Sequence, residues 1–162
     1  MKRLLVLLLA LCLLPISAYG NAASDLVRYT LAFNAAAEYF GVEGTEDVFS
    51  YDYQKVGKIH CYDLEDGISL NFFEADGEIG TVYLYCEQNK FTWDFFPYCI
   101  CLVQTMDKMP SASLQSIIFL WINQARKDRK LSETLPLGEK LELEISAGKA
   151  AIEFAVQPIA QE

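Results

Sequence analysis

Apolar residues recur at helical spacing in three segments of the chain, and cap or turn residues bound these segments. The predicted helices cover residues 24–40, residues 92–107 and a third segment that ends near residue 127. Ser24 caps the first helix and Gly41 ends it, while Ser111 or Ser113 caps the third. The middle of the third helix is apolar almost all round, which predicts that it is deeply buried.

Alternating apolar and polar residues predict five strands, three before the second helix and two after the third. They cover roughly residues 50–62, 68–74, 79–86, 141–145 and 152–156. Asp76-Gly77 is a strong hairpin signal, and a three-residue loop over 75–77 sets Leu70 opposite Val82. This register puts the apolar side chains of both strands on one face.

The last two strands follow a loop that contains Pro136. A turn at Ala147-Gly148 sets Leu143 opposite Ile152, so that both strands bury the same face. The element order is helix, three strands, two helices, two strands, which is typical of an α+β domain. The sequence therefore predicts a single antiparallel sheet of about five strands with the helices packed on one face.

The N-terminus has the three parts of a secretory signal peptide. Lys2 and Arg3 precede an apolar run over residues 4–14, and the small residues Ala18 and Gly20 fit a signal peptidase site. We therefore expect cleavage after Gly20. A membrane anchor is disfavoured, because the apolar run is shorter than the roughly twenty residues that span a bilayer. Residues 1–20 are then the signal peptide and residues 21–162 a single secreted or periplasmic α+β domain.

The element order resembles that of type III secretion chaperone-like domains, which have a helix, three strands, a helix, two strands and a helix. The resemblance covers most of the mature chain as a pattern of elements, and it implies the fold alone. This chain adds a second middle helix and lacks the final one. Those chaperones are cytosolic and this chain is predicted to be exported, so their role is not carried over.

Charge narrows the choice of partner. Removing Lys2 and Arg3 leaves 11 basic residues against 22 acidic ones, a formal charge of −11. Such a surface repels phosphate backbones and anionic lipid, so we do not expect nucleic-acid binding. No second apolar span follows the first, so we expect no membrane span after cleavage. An acidic surface favours solubility and could suit a basic partner.

Four cysteines remain after cleavage, and an even number in an exported chain predicts at least one disulfide. The candidates are Cys61, Cys86, Cys99 and Cys101. Cys99 with Cys101 is the least favoured pair, because residues i and i+2 of a helix point to different sides. Cys61 either pairs with Cys86, or both pair with the helical cysteines, and free buried thiols are the alternative.

No catalytic set, metal site or cofactor motif is predicted. The one histidine, His60, adjoins Cys61, and adjacent strand residues point to opposite faces, so the two would not form a dyad. Cys99-Ile100-Cys101 lacks the gap of a zinc site, and the acidic residues before Gly67 lack the spacing of a calcium loop. Glu142, Glu144 and Glu153 share the outer face of the last hairpin, as an ordinary solvated strand face would.

An aromatic streak is the most suggestive candidate site. It consists of Tyr51, Tyr53, Phe73, Tyr83 and Tyr85, on the predicted outer face of the first strands. Exposed aromatic side chains with polar neighbours mark binding surfaces, although the first helix or a loop could instead cover them. The sequence thus favours a non-enzymatic binding protein with a protein partner in the envelope or outside. An enzyme or enzyme inhibitor with a loop-built site and a structural assembly subunit are the alternatives.

Mass spectrometry of the secreted protein checks the predicted processing. The mature mass should match residues 21–162, and alkylation with and without prior reduction should reveal at least one disulfide. A mass that retains residues 1–20 would contradict the signal peptide. Four thiols alkylated without reduction would contradict the disulfide.

Overall fold

The structure is a computed structural model that describes residues 22–45, 48–53 and 56–159, so the predicted signal peptide lies outside it. The helices in these ranges are α1 (Ala22–Phe40), α2 (Phe95–Met106) and α3 (Ala112–Ala125). The strands are β1 (Val48–Tyr53), β2 (Gly57–Glu65), β3 (Ile68–Ala75), β4 (Glu78–Glu87), β5 (Ser132–Leu137), β6 (Leu141–Ala147) and β7 (Ala151–Pro158).

All seven strands form one antiparallel sheet in the order β1-β2-β3-β4-β7-β6-β5. The predicted α+β class and the single antiparallel sheet are confirmed. The predicted number of about five strands is wrong, because the described chain has seven. β4 and β7 meet in the middle, so the N-terminal and C-terminal halves of the chain each supply one side of the sheet.

Two local features account for the two additional strands. The predicted strand over 50–62 is a hairpin of β1 and β2, in which the Val56 N–H donates to the Tyr53 carbonyl oxygen at 2.9 Å. This turn has none of the Asp-Gly or Asn-Gly signals that mark hairpins. In β5, Pro136 indicates a loop in the sequence, but β5 is an edge strand, where a residue without an N–H is tolerated.

The hairpin between β3 and β4 turns at Asp76 and Gly77, whose φ angles of +53° and +80° fit a type I′ turn. Leu70 lies opposite Leu84, so the predicted pairing with Val82 is wrong by two residues. A β-bulge next to the turn takes up the odd residue and restores the alternation. The side chains buried on this face are those predicted: Ile68, Leu70, Phe72, Val82, Leu84 and Cys86.

The last hairpin also differs in register. Leu143 lies opposite Val156 instead of Ile152, because the turn lies two residues further along and is closed by the Gly148 N–H, which donates to the Ala151 carbonyl oxygen. The shift is an even number of residues, so the same side chains still face inward. Leu143, Ile152 and Val156 are all fully buried, as the alternation predicts.

The three helices pack on one face of the sheet, against β4, β6 and β7. Tyr29 of α1 stacks on Phe72 of β3 with ring centroids 6.1 Å apart, and Phe33 stacks on Tyr98 of α2 at 6.3 Å. All four rings are buried in one continuous core with the inward side chains of the strands. We call the opposite side of the sheet the open face, since no described helix packs on it.

Helix α3 is less buried than its composition predicts. The Ser111 hydroxyl accepts a hydrogen bond from the Leu114 N–H at 3.2 Å, which confirms a serine cap. Ile118 and Ile122 face the core, but Phe119 is 42% exposed. The prediction of deep burial is wrong because α3 contacts the sheet and α2 along one stripe only.

Candidate functional site

The open face carries all five aromatic residues of the predicted streak. Strand alternation places them there: Tyr51, Tyr53, Phe73, Tyr83 and Tyr85. Tyr51 and Tyr53 are 46% and 40% exposed, and the other three are half-buried. Because the helices all lie on the other side, no described helix covers these rings. Whether they bind a partner stays a prediction.

Phe49 extends the streak and does not belong to the predicted set. It is 52% exposed, and its ring stacks on that of Tyr51 with centroids 6.3 Å apart. Phe49, Tyr51 and Tyr53 follow at alternate positions along β1, so a strand start two residues earlier would have revealed Phe49 from the sequence. We call these six side chains the aromatic surface.

A glycine makes room for part of the aromatic surface. Gly57 lies opposite Tyr53, and the Tyr53 and Phe73 rings meet edge to face with centroids 6.2 Å apart. A Cβ atom at position 57 would overlap the Glu74 carbonyl oxygen and approach the Phe73 ring to 2.9 Å. Glycine is therefore required where β2 begins.

The aromatic side chains shield residues beneath them. Ile59, Cys61 and Asn71 point to the open face, yet they are only 6%, 7% and 4% exposed. Cross-strand pairing places Ile59 between Tyr51 and Phe73, so aromatic side chains flank it on both sides. The rings thus form a thin second layer over the sheet.

Tyr83 is half-buried within this layer. Burial raises the pKa of Tyr83, and the proximity of Tyr51, Glu153 and Cys61 raises it further. A negative charge on the phenol would be poorly solvated beside these groups, so the neutral form is favoured. Tyr83 therefore offers a protonated hydroxyl where the aromatic surface meets the acidic strand β7.

The acidic part of the open face begins next to the aromatic surface. Glu153 lies directly opposite Tyr85, and Ala155 separates Tyr83 from Glu144. The Gln157 amide donates hydrogen bonds to carboxylate oxygens of Glu142 at 3.1 Å and of Glu144 at 3.0 Å. The acidic residues predicted on the outer face of the last hairpin therefore border the aromatic residues of β4.

His60 lies on the helix side of the sheet, near its β1 edge. The Ser50 hydroxyl and His60 Nδ1 are 2.7 Å apart, and His60 Nε2 is 2.7 Å from Glu74 Oε2. The predicted separation of His60 from Cys61 by the sheet is what strand alternation produces here. The pairing of His60 with Ser50 was not anticipated, because it requires the turn between β1 and β2.

The four cysteines of the described chain are buried free thiols. Cys61 lies under the aromatic surface, and Cys86 lies on the helix side, so the sheet separates the members of one predicted pair. Burial raises the pKa of Cys86 and of Cys101 to about 12, and that of Cys99 also rises. A disulfide in the mature protein stays a prediction.

A second aromatic group lies between α2 and α3. Trp93 stacks on Phe119 with centroids 5.4 Å apart. The Arg126 guanidinium lies 4.6 Å from the Phe91 ring centroid and 5.0 Å from that of Trp93. These cation–π contacts occupy the faces of both rings with a group of the chain itself. This cluster is therefore less available to a ligand than the aromatic surface.

Two clefts lie close together near the ends of β2, β3 and β4. One has a volume of about 510 Å³ and a lining that includes Asp63, Glu65, Asp66 and Lys90, and the other is lined by residues that include Tyr85 and Arg129. Lys90 Nζ is 2.8 Å from Asp66 Oδ1, so a cation of the chain already neutralises part of the first cleft. No group of three or more metal-binding side chains occurs among the described residues. Neither cleft borders His60.

Comparison with protein-family models, curated proteins and solved structures finds no match to this chain. The resemblance to type III secretion chaperone-like domains therefore stays a prediction. Within the described ranges, no helix has both the length and the apolar character needed to cross a membrane.

Alkaline pH should destabilise the fold partly through Tyr83. A tyrosine in the unfolded chain titrates near pH 10, whereas Tyr83 keeps its proton to higher pH in the folded state. The unfolded state therefore binds fewer protons above about pH 10, and the free energy of unfolding falls as pH rises. Tyr83→Phe removes this contribution. The free energy of unfolding, measured by urea unfolding, should then fall less steeply with pH, and the difference in slope should correspond to less than one proton.

Tyr39→Phe is the matched control, because Tyr39 is 74% exposed on α1. It should retain the pH dependence of the parent. Some dependence should persist in Tyr83→Phe, since burial also raises the pKa of Tyr98. If the unfolding free energy of Tyr83→Phe fell with pH as steeply as that of the parent, the raised pKa of Tyr83 would be contradicted.

Proposed function

We propose that this chain is an exported, non-enzymatic binding protein that engages a protein partner through the aromatic surface of its open face. The observation that carries the proposal is the layer of six aromatic side chains on a sheet face that no described helix covers. A sheet with helices on one side normally presents polar side chains on the other. Six aromatic residues there require another explanation.

Aromatic side chains suit this role on physical grounds. Tyrosine and phenylalanine bury a large apolar area on binding and lose little side-chain entropy, and tyrosine adds a hydrogen-bonding hydroxyl. Such residues are enriched at the centres of protein interfaces, where few side chains carry most of the binding free energy. Tyr51 and Tyr53 are the most exposed tyrosines of the aromatic surface, so we assign them the largest share.

The predicted signal peptide supports a partner outside the cytoplasm. The charge of −11 on residues 21–162 disfavours phosphate backbones and anionic membranes as that partner. A protein of the cell envelope or of the medium fits both the location and the charge.

A capture experiment with the double variant Tyr51→Ala/Tyr53→Ala tests this role. Labelled protein of residues 21–162 is mixed with envelope extract and culture fluid of the producing cells, and the captured partner is then titrated. The double variant should bind at least about tenfold more weakly, because it removes two interface anchors. Both side chains are largely exposed, so the fold should persist, as circular dichroism would verify.

Tyr39→Ala is the control for the loss of an exposed aromatic ring, since Tyr39 lies on α1, away from the open face. It should bind as the parent does. Equal affinities of the parent and the double variant for every captured protein would contradict the proposal, and so would a loss confined to Tyr39→Ala.

A serine hydrolase is the second candidate, and the Ser50–His60–Glu74 chain favours it. With His60 protonated at Nε2 and donating to Glu74, Nδ1 accepts the hydroxyl proton of Ser50. Ser50 Oγ could then attack an acyl carbon while His60 holds the proton for the leaving group. This candidate ranks second because neither cleft borders these residues.

A fluorophosphonate probe distinguishes this candidate. If Ser50 is a nucleophile, its Oγ bonds to phosphorus, fluoride leaves, and the proton passes to His60. Mass spectrometry should then find the adduct on Ser50, and His60→Ala and Glu74→Gln should slow its formation by about 100-fold or more. Ser116, exposed on α3, is the internal control and should stay unlabelled. Absence of an adduct on Ser50 would eliminate the hydrolase.

A further inference from the structure

We propose that the partner of the open face is cationic: a protein segment that carries lysine or arginine side chains. The inference rests on the proposed binding function and names the chemistry of its partner. It follows from the distribution of charge on the open face and from the absence of a cation over the aromatic surface within the described chain.

Every charged side chain that the described strands direct to the open face is acidic. These residues are Asp63, Glu78, Glu87, Glu142, Glu144 and Glu153. Lys58 is the one basic residue in the described strands, and it points to the helix side opposite Glu74.

Cations gather near one end of the open face, where Lys90 Nζ lies 2.8 Å from Asp66 Oδ1 and 3.7 Å from Glu87 Oε1. Arg129 and Lys149 line a cleft with Tyr85 at the same end. No salt bridge among the described residues involves Glu142, Glu144 or Glu153, so the part of the open face that they form has an uncompensated negative charge.

The carboxylates of β6 are held together without a cation. Glu142 and Glu144 both accept hydrogen bonds from the neutral Gln157 amide, at 3.1 Å and 3.0 Å. Two like charges that share a neutral donor repel each other, so a guanidinium or ammonium group placed between them would relieve the repulsion.

Among the described residues, cations lie over aromatic rings elsewhere in the chain and not over the aromatic surface. Arg126 lies over Phe91 and Trp93 at 4.6 Å and 5.0 Å from their centroids, and Arg28 lies over Tyr29 at 4.8 Å. No described arginine or lysine lies over Tyr51, Tyr53 or the other rings of the open face. Where Tyr85 lies opposite Glu153, cation–π attraction and ion pairing can act on the same group. Tyr51 and Tyr53 lie about 19 Å from β7, four strands away, so a segment with several cations is needed to contact them and the carboxylates together.

Charge also argues against other occupants. A second copy docked face to face would bring Glu142, Glu144 and Glu153 against their own counterparts or against aromatic rings. Nucleic acid and anionic lipid would meet the same repulsion. A cationic segment is the occupant that both parts of the open face attract.

Fluorescence anisotropy with three labelled ten-residue peptides tests the inference on protein of residues 21–162. The peptides alternate serine with arginine, glutamine or glutamate. The arginine peptide should bind most tightly, and its affinity should fall as salt rises from about 50 to 500 mM, as screening requires. Amide chemical shifts should move on the open-face strands and stay unchanged on α3.

Two triple variants with the same change in net charge separate a local site from general attraction. Glu142→Gln/Glu144→Gln/Glu153→Gln should weaken binding of the arginine peptide about tenfold, because it removes three partly exposed ion pairs with the peptide. Glu38→Gln/Asp107→Asn/Glu133→Gln removes exposed acids elsewhere, and it should bind within about twofold of the parent. Tyr51→Ala/Tyr53→Ala should also weaken binding of the arginine peptide about tenfold, because it removes two rings that attract its cations.

Equal weakening by both triple variants would overturn the inference, because attraction would then follow net charge alone. Failure of the arginine peptide to bind would overturn it as well. Equal binding of the glutamine peptide, lost in Tyr51→Ala/Tyr53→Ala, would overturn the cationic assignment and leave the binding function intact. The capture experiment with the same double variant decides the binding function separately.

Discussion

The packing of three helices on a single face of the sheet is the constraint on which the rest of this structure depends. Leu70, Leu84 and Phe154 are fully buried because α1, α2 and α3 exclude water from that face. The other face has no helical layer in the described chain, so apolar groups there are shielded from water only by neighbouring side chains. The aromatic surface covers Ile59 and Cys61, and its outermost rings remain exposed.

The strand alternation that places apolar side chains in the core also decides which polar side chains lie on each face of the sheet. Residues at odd and even positions of each strand go to opposite faces, so His60 joins Ser50 and Glu74 on the helix side while Cys61 lies under the rings. Along the open face, aromatic residues come from β1, β3 and β4 and carboxylates come mostly from β6 and β7. Because β4 pairs with β7, the aromatic side chains of one half of the sheet lie next to the carboxylates of the other half.

The parts of the structure that depend on strand period were predictable from the sequence, and those that depend on turns were not. The faces of β3 and β4 follow from Leu70 and Leu84, yet their register depends on a bulge at Gly80 and Thr81, for which the glycine is the sole and weak sequence signal. The turn before Gly57 has no Asp-Gly or Asn-Gly pair, and for this reason the sequence predicts β1 and β2 as one strand. The streak from Tyr51 to Tyr85 was predictable, whereas the Ser50–His60–Glu74 chain required that turn.

Burial of the thiols has a kinetic consequence for their oxidation. With its pKa raised to about 12, Cys86 is ionised in about one molecule in 100,000 at pH 7. Oxidants and disulfide exchange act on the thiolate, so the folded chain reacts slowly even in an oxidising compartment. Oxidation of these thiols then requires transient opening of the sheet and helices. The oxidation rate therefore reports how often the core opens to solvent.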